Sequence, residues 1–411
     1  MKTVFYKAAI LLFLILGTSL NSQAQNSRLM QLQEDSERLY GEFRELASNK
    51  KYSEAIVPIK ELIGILDTTT VVDDPLVNIP KQAIDAQKAT YQYDLACCYA
   101  ILGNKKMAMK TLALSVDNGY DNYSNMYWDQ DLASLKKDKK FRALLAIVKE
   151  RQPLEKLKRS NAYRPEAEDV IPKFEYQPKE HHNLQRVRDY FKLDTIPGKD
   201  NELEHIKNLL HFVHDNIRHD GSRMTICEFD AIDLYNYYKA TGNGVNCRML
   251  AITLCDLYLA MGYKARVVTC LAADPNDPDC HVINSVWSET MQKWLYIDPT
   301  MDAWVMDENG TMLSIAEVRE RLIDGRELVL CPTANWNHES PQTKEYYLET
   351  YMAKNLYYQV CKKRSFFNQE SIYRNTDNVD VRLIPEGFDN GINNNCATTT
   401  NPEVFWAAPA D

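Results

Sequence analysis

Apolar residues recur at a regular spacing in the first third of the chain. Between residues 91 and 120, two stripes of apolar side chains lie on either side of Gly103. Their members are Leu95, Tyr99 and Leu102 before the glycine and Ala108, Leu112 and Val116 after it. A spacing of three or four positions places side chains on one face of an α-helix, and glycine commonly ends a helix. The pattern predicts two helices joined by a tight turn, within a helical region that covers residues 25–150.

The pattern changes after residue 150. A charged and weakly apolar stretch is interrupted there by Pro153, Pro165, Pro172 and Pro178. Proline removes a backbone donor and opposes helix formation. We therefore place a linker at residues 151–180 and expect a second domain at residues 181–330.

The second domain alternates between helical and strand-like patterns. A helix capped by Asn201 carries an apolar stripe, and a second helix at residues 247–261 is apolar nearly all round. A helix of the second kind is normally buried in the middle of its domain. Three strand-like runs follow, at residues 264–271, 281–287 and 292–298. The sequence thus predicts an α+β fold preceded by an all-α region. The C-terminal extension, residues 331–411, has a predicted helix at about residues 343–361, and we assign it no function.

The N-terminus has the pattern of a secretory signal peptide. Lys2 and Lys7 precede a nine-residue apolar run, and Ser22-Gln23-Ala24 resembles a small-x-small cleavage site. The run is shorter than the about 20 apolar residues that span a bilayer, and no later stretch is apolar enough to cross one. We predict a signal peptide at residues 1–24, a mature protein that begins near Gln25, and a periplasmic or secreted location with no membrane span after cleavage. An uncleaved anchor is the alternative.

Composition and charge exclude some classes of protein. The 411 residues are 45% hydrophobic and 26% charged, which is ordinary for a folded globular protein. The net charge of −9 argues against a nucleic-acid partner, because such binding requires Lys and Arg to neutralise phosphates. Ten cysteines in an exported chain could form disulfides, but their spacing does not give a connectivity. We expect most of them to be small core residues.

Cys247 is the first candidate for chemistry. It follows the loop residues Gly242, Gly244 and Asn246, and it opens the buried helix. A helix N-terminus carries about half a positive charge and unpaired N–H groups. These lower the pKa of a thiol placed there and can stabilise an oxyanion. Taken alone, a cysteine at a helix start is more often structural, so the interpretation depends on its partners.

His281 and Asp298 lie on two strands that flank a predicted turn at residues 288–291. In a symmetric hairpin the two residues would sit directly opposite each other, with Cβ atoms about 4.5–5.5 Å apart. Asp298 could then hold the imidazole in one tautomer and leave its other nitrogen to take the thiol proton. The alternative is a lone strand histidine and a turn-forming Asp-Pro. Together with Cys247, the pair forms a candidate catalytic triad.

The order of these three residues resembles the transglutaminase-like superfamily, whose papain-like core runs from a cysteine-bearing helix into a sheet that bears histidine and aspartate. The matching stretches are GVNCRMLAITLCDLYLAMGYKARVV, CHVINSVW and KWLYIDPT. The resemblance implies Cys247 as the nucleophile, His281 as the general base and acid, and Asp298 as the orienting carboxylate. It also implies attack on an amide of a peptide or protein through a thioester. Hydrolysis is favoured over transfer to an amine, and a related branch removes asparagine-linked glycans.

One position departs from the family pattern. The family usually has glycine two residues before the cysteine, where this chain has Val245, and Gly244 stands one position earlier. The second oxyanion donor is often an upstream aromatic or amide side chain, and the candidates here are His211, His219 and Asn243. His211 and His214 are three residues apart on a helix, but no carboxylate or cysteine spacing supports a metal site. We predict neither a metal nor a cofactor.

The helical region resembles a tetratricopeptide unit in its placing of Tyr99, Gly103 and Ala108. The resemblance implies a surface for a protein partner. A plain helical bundle is the alternative to a repeat. A catalytically silent scaffold that binds through this region therefore competes with the enzymatic interpretation.

Overall fold

The computed structural model describes most of the chain, which divides into two compact units. The described residues are 23–68, 81–167, 171–223, 225–371, 379–389, 391 and 396–409. The first unit is Met1–Gln152 and the second is Pro153–Asp411. Of the predicted signal peptide, residues 1–22 lie outside the described residues. None of the helices in the described ranges is both long and apolar enough to cross a membrane.

Within its described residues, the regular secondary structure of the first unit is entirely helical. They are α1 (Gln23–Ser48), α2 (Tyr52–Thr68), α3 (Lys81–Ile101), α4 (Lys105–Asp117), α5 (Tyr123–Trp128) and α6 (Lys139–Glu150). The predicted helix pair is α3 and α4, and Gly103 between them has a φ of 78°, in the left-handed region. Asn104 caps α4 by accepting a hydrogen bond from the Met107 N–H. The all-α region is confirmed, whereas the tetratricopeptide likeness stays a prediction.

The second unit combines helices with a mixed sheet. Its α-helices of six or more residues are α7 (Pro153–Lys158), α8 (His182–Tyr190), α9 (Glu202–Asn216), α10 (Ala231–Thr241), α11 (Cys247–Ala260) and α12 (Ile315–Asp324). Its short turns are a 3-10 turn (Leu193–Thr195), α13 (Lys344–Tyr346), a π-helical turn (Tyr347–Met352), α14 (Ala353–Asn355) and α15 (Pro402–Phe405). The unit therefore has the predicted α+β class.

Among the described residues of this unit, eight strands form the main sheet, in the order β12-β11-β9-β2-β3-β4-β5-β6. Their bounds are β2 (Ala265–Leu271), β3 (His281–Ser288), β4 (Lys293–Asp298), β5 (Ala303–Met306), β6 (Val329–Leu330), β9 (Tyr358–Lys362), β11 (Asp380–Leu383) and β12 (Cys396–Thr399). Two further pairs join β1 (Glu175–Tyr176) with β10 (Arg364–Ser365) and β7 (Asn335–Trp336) with β8 (Ser340–Pro341). The three predicted strands are β2, β3 and β4.

Residues 331–411 belong to the same compact unit as the predicted catalytic domain. β9 pairs antiparallel with β2, and β11 and β12 continue the sheet beyond it. The helix predicted to reach residue 361 ends at Asn355, because Tyr358–Lys362 forms β9 instead. Aromatic and β-branched residues such as Tyr358 and Val360 favour a strand. This part of the helix prediction was wrong, and the last strands are integral to the sheet.

The side chain of Arg266, on β2, joins two segments that are distant in sequence, around Tyr176 and around Phe405, to the main sheet. Its side chain is 1% exposed, and its Nε donates to the Tyr176 hydroxyl over 2.7 Å. An Nη donates to the Phe405 carbonyl, also over 2.7 Å. The guanidinium lies 3.8 Å from the centre of the Phe174 ring and 4.2 Å from that of Trp294. Part of the predicted linker is thus bound within the second unit, which begins at Pro153.

α11 is the buried helix that the sequence predicted. Every residue from Met249 to Ala260 is buried, and the helix packs against α8, α9, α10, β2 and β3. Burial of one leucine side chain contributes about 1.5–3 kcal/mol, so packing fixes this helix in place. Asn284 of β3 donates from Nδ2 to the Ala251 carbonyl over 2.9 Å. This bond ties the first turns of α11 to the strand that begins at His281.

Candidate active site

Cys247 occupies the first position of α11. Asn246 caps the helix, since its side chain accepts a hydrogen bond from the Met249 N–H over 3.1 Å. Burial alone would raise the pKa of the Cys247 thiol, but hydrogen bonds with His219 and His281, together with the charge of His281, lower it to about 6. An ordinary cysteine has a pKa of about 8.5. The thiolate is therefore the main form of Cys247 at neutral pH.

His281 and Asp298 are joined by a short hydrogen bond. His281 Nε2 donates to Asp298 Oδ2 over 2.6 Å, and the two side chains are 1% and 0% exposed. Their register differs from the predicted one, because Asn284 pairs with Ile297. His281 and Asp298 are thus diagonal neighbours on adjacent strands, where we expected them directly opposite each other.

The turn between β3 and β4 explains this register. Ser288 pairs with Lys293, so the loop consists of residues 289–292. The carboxylate of Glu202 accepts hydrogen bonds from the Ser288 hydroxyl and from the N–H groups of Glu289 and Thr290. A displacement of two positions leaves side chains on the same face of a strand, and diagonal neighbours remain within reach of long side chains. The prediction of a shared face was right and that of direct opposition was wrong.

Asp298 is a buried carboxylate with several donors around it. Its Oδ2 also accepts a hydrogen bond from the Tyr347 hydroxyl over 2.6 Å. Its Oδ1 accepts from the N–H groups of Thr300, at 2.8 Å, and Met301, at 3.3 Å. Burial would raise the pKa of this carboxyl, but the charge and hydrogen bond of His281, with the bonds from Tyr347 and Thr300, hold it below its usual value. Asp298 is therefore ionised and fixed in orientation.

The pKa of His281 is set by Asp298 and Cys247. Burial disfavours the charged imidazole, but the charge of Asp298, the hydrogen bond to it and the proximity of Cys247 raise the pKa of His281 to about 10. Because Nε2 is engaged by Asp298, Nδ1 is the nitrogen left for the thiol. Between a cysteine pKa of about 6 and a histidine pKa of about 10, the pair exists as thiolate and imidazolium.

His219 is the upstream candidate that reaches the thiol. Its imidazole lowers the pKa of the Cys247 thiol, whereas His211 Nδ1 bonds to Asp302 Oδ1 at 2.6 Å. Trp336 donates from Nε1 to His219 Nδ1 over 2.9 Å. Since Nδ1 is then an acceptor, the proton of the neutral imidazole lies on Nε2. An N–H group of fixed direction beside the nucleophile is suited to stabilise an oxyanion.

The loop before Cys247 is held by two backbone hydrogen bonds. The Val245 N–H donates to the Arg218 carbonyl over 2.9 Å, and the Asp220 N–H donates to the Val245 carbonyl over 2.8 Å. A Cβ on Gly244 would lie 2.8 Å from the Arg218 carbonyl oxygen. The glycine at this position therefore permits the close approach of the two loops, and the departure from the family pattern has a local structural reason.

Asn243 and His214, also singled out by the sequence, form hydrogen bonds with other residues, and the Asn243 bond is made by its backbone. The Asn243 N–H donates to the Thr241 hydroxyl over 3.1 Å, and His214 Nδ1 bonds to the Pro299 carbonyl at 3.1 Å. Within the described residues, no group of three or more His, Cys, Asp and Glu side chains could hold a metal ion. All ten cysteines are described and all are free thiols, most of them buried.

Sequence reasoning missed two tyrosines that touch the candidate triad. Tyr347 and Tyr351 belong to the π-helical turn at Tyr347–Met352. Tyr347 bonds to Asp298, and the Tyr351 hydroxyl lies 3.3 Å from His281 Nδ1. The Tyr351 ring packs edge-on against the imidazole, with centres 5.1 Å apart. π-helical turns are frequent at functional sites, but the sequence of this one reads as an ordinary helix.

Comparisons with known proteins identify the core of the second unit. Residues 190–299 match the family model described as the transglutaminase-like superfamily. The resemblance predicted from the motifs is thus confirmed over that range. No curated protein matches the chain. One solved structure, of a candidate cysteine protease from Cytophaga hutchinsonii, is similar to part of this chain, with 16% identity and a TM-score of 0.22. The match covers 36% of this chain and 48%, or about half, of the length of the protease.

Proposed function

We propose that the second unit is a cysteine-nucleophile hydrolase that cleaves an amide bond of a peptide or protein. One observation carries the proposal: His281, which lowers the pKa of the Cys247 thiol at the N-terminus of α11, is itself bound to Asp298 over 2.6 Å. The match of residues 190–299 to the transglutaminase-like superfamily supports the same class of chemistry. In this proposal Cys247, His281 and Asp298 are the catalytic triad.

The first half-reaction forms a thioester. The Cys247 thiolate attacks the carbonyl carbon of the amide, a C–S bond forms, and the carbonyl electron pair moves to oxygen. The first N–H groups of α11 and the Nε2–H of His219 would stabilise this oxyanion. The oxygen electron pair then re-forms the C=O bond, the C–N bond breaks, and His281 passes its Nδ1 proton to the leaving amine. The products of this step are a thioester on Cys247 and a free amine.

The second half-reaction releases the acyl group. Neutral His281 takes a proton from water, and the water oxygen attacks the thioester carbon. The C–S bond then breaks, which gives a carboxylic acid and restores the thiolate and imidazolium. An amine in place of water would give transamidation, and a cross-linking acyltransferase is therefore the closest alternative. Hydrolysis is the outcome that the family resemblance favours.

The site supports catalysis over a silent scaffold. A scaffold has no use for a cysteine whose hydrogen bonds with two histidines lower the pKa of its thiol to about 6. Removal of asparagine-linked glycans is a further activity of the superfamily, but it has no specific support here. We propose that the first unit binds the protein partner or substrate.

Export is a separate part of the proposal. The apolar run and the small-x-small site within residues 1–24 motivate it. N-terminal sequencing of the natural protein should find a start near Gln25 in a fraction outside the cytoplasm. An intact Met1 in the soluble cytoplasm would contradict export and leave the enzymatic proposal untouched.

Alkylation with iodoacetamide tests the nucleophile without a known substrate. At about pH 6, roughly 2.5 units below the ordinary pKa of a cysteine, Cys247 should react first among the ten cysteines. Burial raises the pKa of Cys97, Cys255 and Cys270 well above the usual range, so these should react slowly. Mass spectrometry of the labelled peptides measures the order. Equal labelling of all cysteines would contradict the proposal.

A further inference from the structure

The proposed triad is contacted from the C-terminal part of the chain at two points. The π-helical turn Tyr347–Met352 places one tyrosine hydroxyl on Asp298 and another beside His281. These are the two residues that control the proton given to the leaving group. Two side chains from one helical turn therefore contact both residues of the His281–Asp298 pair.

Tyr347 acts on the carboxylate. Its side chain is 0% exposed, and its hydroxyl donates to Asp298 Oδ2, the same oxygen that accepts from His281. The Tyr296 hydroxyl lies 2.5 Å from the Tyr347 hydroxyl and supports it. A donor on a carboxylate spreads its negative charge, so the carboxylate attracts a neighbouring imidazolium less strongly. Tyr347 therefore weakens the hold of Asp298 on the His281 proton.

Tyr351 acts on the other nitrogen of the imidazole. Its oxygen lies 3.3 Å from Nδ1. When His281 is an imidazolium, Nδ1 carries a proton, so the Tyr351 oxygen can only accept from it. A hydrogen bond from a charged donor is stronger than one between neutral groups. Tyr351 therefore favours the imidazolium form, which is the opposite of the effect of Tyr347.

We propose that Tyr347 and Tyr351 are positioning residues that set the proton affinity of His281 from opposite sides, Tyr347 lowering it through Asp298 and Tyr351 raising it at Nδ1. The proposal rests on the cysteine-hydrolase function of the site. It gives the C-terminal segment a role in the chemistry, since the balance of the two hydroxyls decides how readily the imidazolium forms and gives up its proton.

Other titratable and charged groups face the same histidine, and the test must leave them unchanged. Around His281 they are Cys247 from α11, Cys270 as the cross-strand partner on β2, and Asp298 from β4. Around Tyr351 they also include Asp279 and Cys280 from the loop before β3, with Lys354 paired to Asp279. Replacing tyrosine by phenylalanine removes only a hydroxyl. None of these groups is altered by it.

The experiment makes two titrations of the full-length protein: iodoacetamide labelling of Cys247 against pH, and the pKa of His281 from its imidazole NMR signals. Because His281 is still an imidazolium when Cys247 titrates, a change in its proton affinity appears in the second titration. A stronger pull of Asp298 on the imidazolium should raise the pKa of His281 in Tyr347→Phe by about half a unit. Tyr351→Phe should lower the pKa of His281 by about half a unit. The double variant should lie near the wild type. Tyr346→Phe is the matched control, because Tyr346 is 58% exposed on the preceding turn, and it should change nothing.

The outcomes separate this inference from the proposed function. If wild-type Cys247 does not titrate below the other cysteines, the hydrolase proposal fails. If it does, but both variants shift in the same direction or neither shifts, the inference about the tyrosines is overturned. Should Tyr347→Phe fail to fold, Tyr296→Phe replaces it, because Tyr296 supports the Tyr347 hydroxyl. It should give a smaller shift of the same sign, and a shift of opposite sign would again overturn the inference.

Discussion

Two regions of α11 carry a cysteine, and the two thiols differ in their acidity. Cys247 opens the helix and has a pKa of about 6. Cys255 lies about two turns further along, in the middle of the helix, where burial and the charge of Asp256 raise its pKa well above the usual range. The Cys255 sulfur donates to the Ala265 carbonyl at 3.6 Å, which is an ordinary core contact.

Burial acts in the same direction on both thiols, so it cannot explain the difference. What distinguishes Cys247 is the set of groups at the helix end: unpaired N–H groups, the hydrogen bond with His219, and the imidazole of His281. The middle of the helix has none of these. The comparison shows that partners, more than exposure, turn a cysteine into a nucleophile.

Replacing each cysteine in turn by alanine should give the largest difference between the two positions. Cys247→Ala should abolish turnover and the labelling seen at about pH 6, because no other group can form the thioester. Cys255→Ala should leave both intact and cost about 1 kcal/mol of the free energy of unfolding. Mass-spectrometric mapping and thermal unfolding measure the two effects. Continued labelling of the same peptide in Cys247→Ala would show that another thiol is the reactive one.

Removing the imidazole should make the two thiols of α11 more alike in their pKa. In His281→Ala the pKa of Cys247 should rise towards the ordinary value of about 8.5, and turnover should fall nearly as far as in Cys247→Ala. Asp298→Asn should cost less, no more than about 10⁴-fold, because it misplaces the imidazole proton without removing the base.

The double variant decides whether His281 and Asp298 act on one proton. Residues that work as a unit are strongly non-additive. The loss of turnover in the variant that changes both should therefore be little larger than that of His281→Ala. Losses that simply multiply would show that the two residues act independently, and the triad assignment would fail.

Replacing His219 should have a smaller effect that again separates the helix end from its middle. Loss of one oxyanion donor lowers kcat by about 10²–10³-fold, and we expect this for His219→Ala. Trp336→Phe should lower kcat by a smaller factor, because it removes only the indole N–H that fixes the tautomer of His219. His211→Ala is the control, since its ring bonds to Asp302. An equal loss of kcat in His211→Ala would contradict the role given to His219.

The sequence was sufficient for the local parts of this site. The cysteine at the start of an apolar helix, the strands that carry His281 and Asp298, and their shared face all follow from residue periodicity and turn signals. The exact pairing did not follow, because Glu202, far away in sequence, binds the turn between β3 and β4 and fixes its length. A contact of that kind leaves no mark on the spacing of the hairpin itself.

The C-terminal contribution was outside the reach of such reasoning. β9 pairs with β2 across almost 90 residues of sequence, and non-local pairing is not visible in a periodic pattern. Tyr347, Tyr351 and Trp336 look like ordinary helix or loop aromatics until the fold brings them to Asp298, His281 and His219. The family resemblance left three candidates for the second oxyanion donor. Only the interaction of His219 with Cys247 distinguished it from the other two.

The smallest effect that we predict concerns the cap of α11. Asn246 accepts from the Met249 N–H over 3.1 Å, and Asn201 caps α9 in the same way by accepting from the Glu204 N–H over 3.4 Å. Changing either asparagine to alanine should cost about 0.5–2 kcal/mol of stability. Only Asn246→Ala should also slow the labelling of Cys247 at about pH 6, by about two- to fivefold, because fraying of the first turn weakens the helix dipole at the thiol. If Asn201→Ala slows the labelling equally, the effect comes from general destabilisation, and the dipole of α11 does not contribute to the acidity of Cys247.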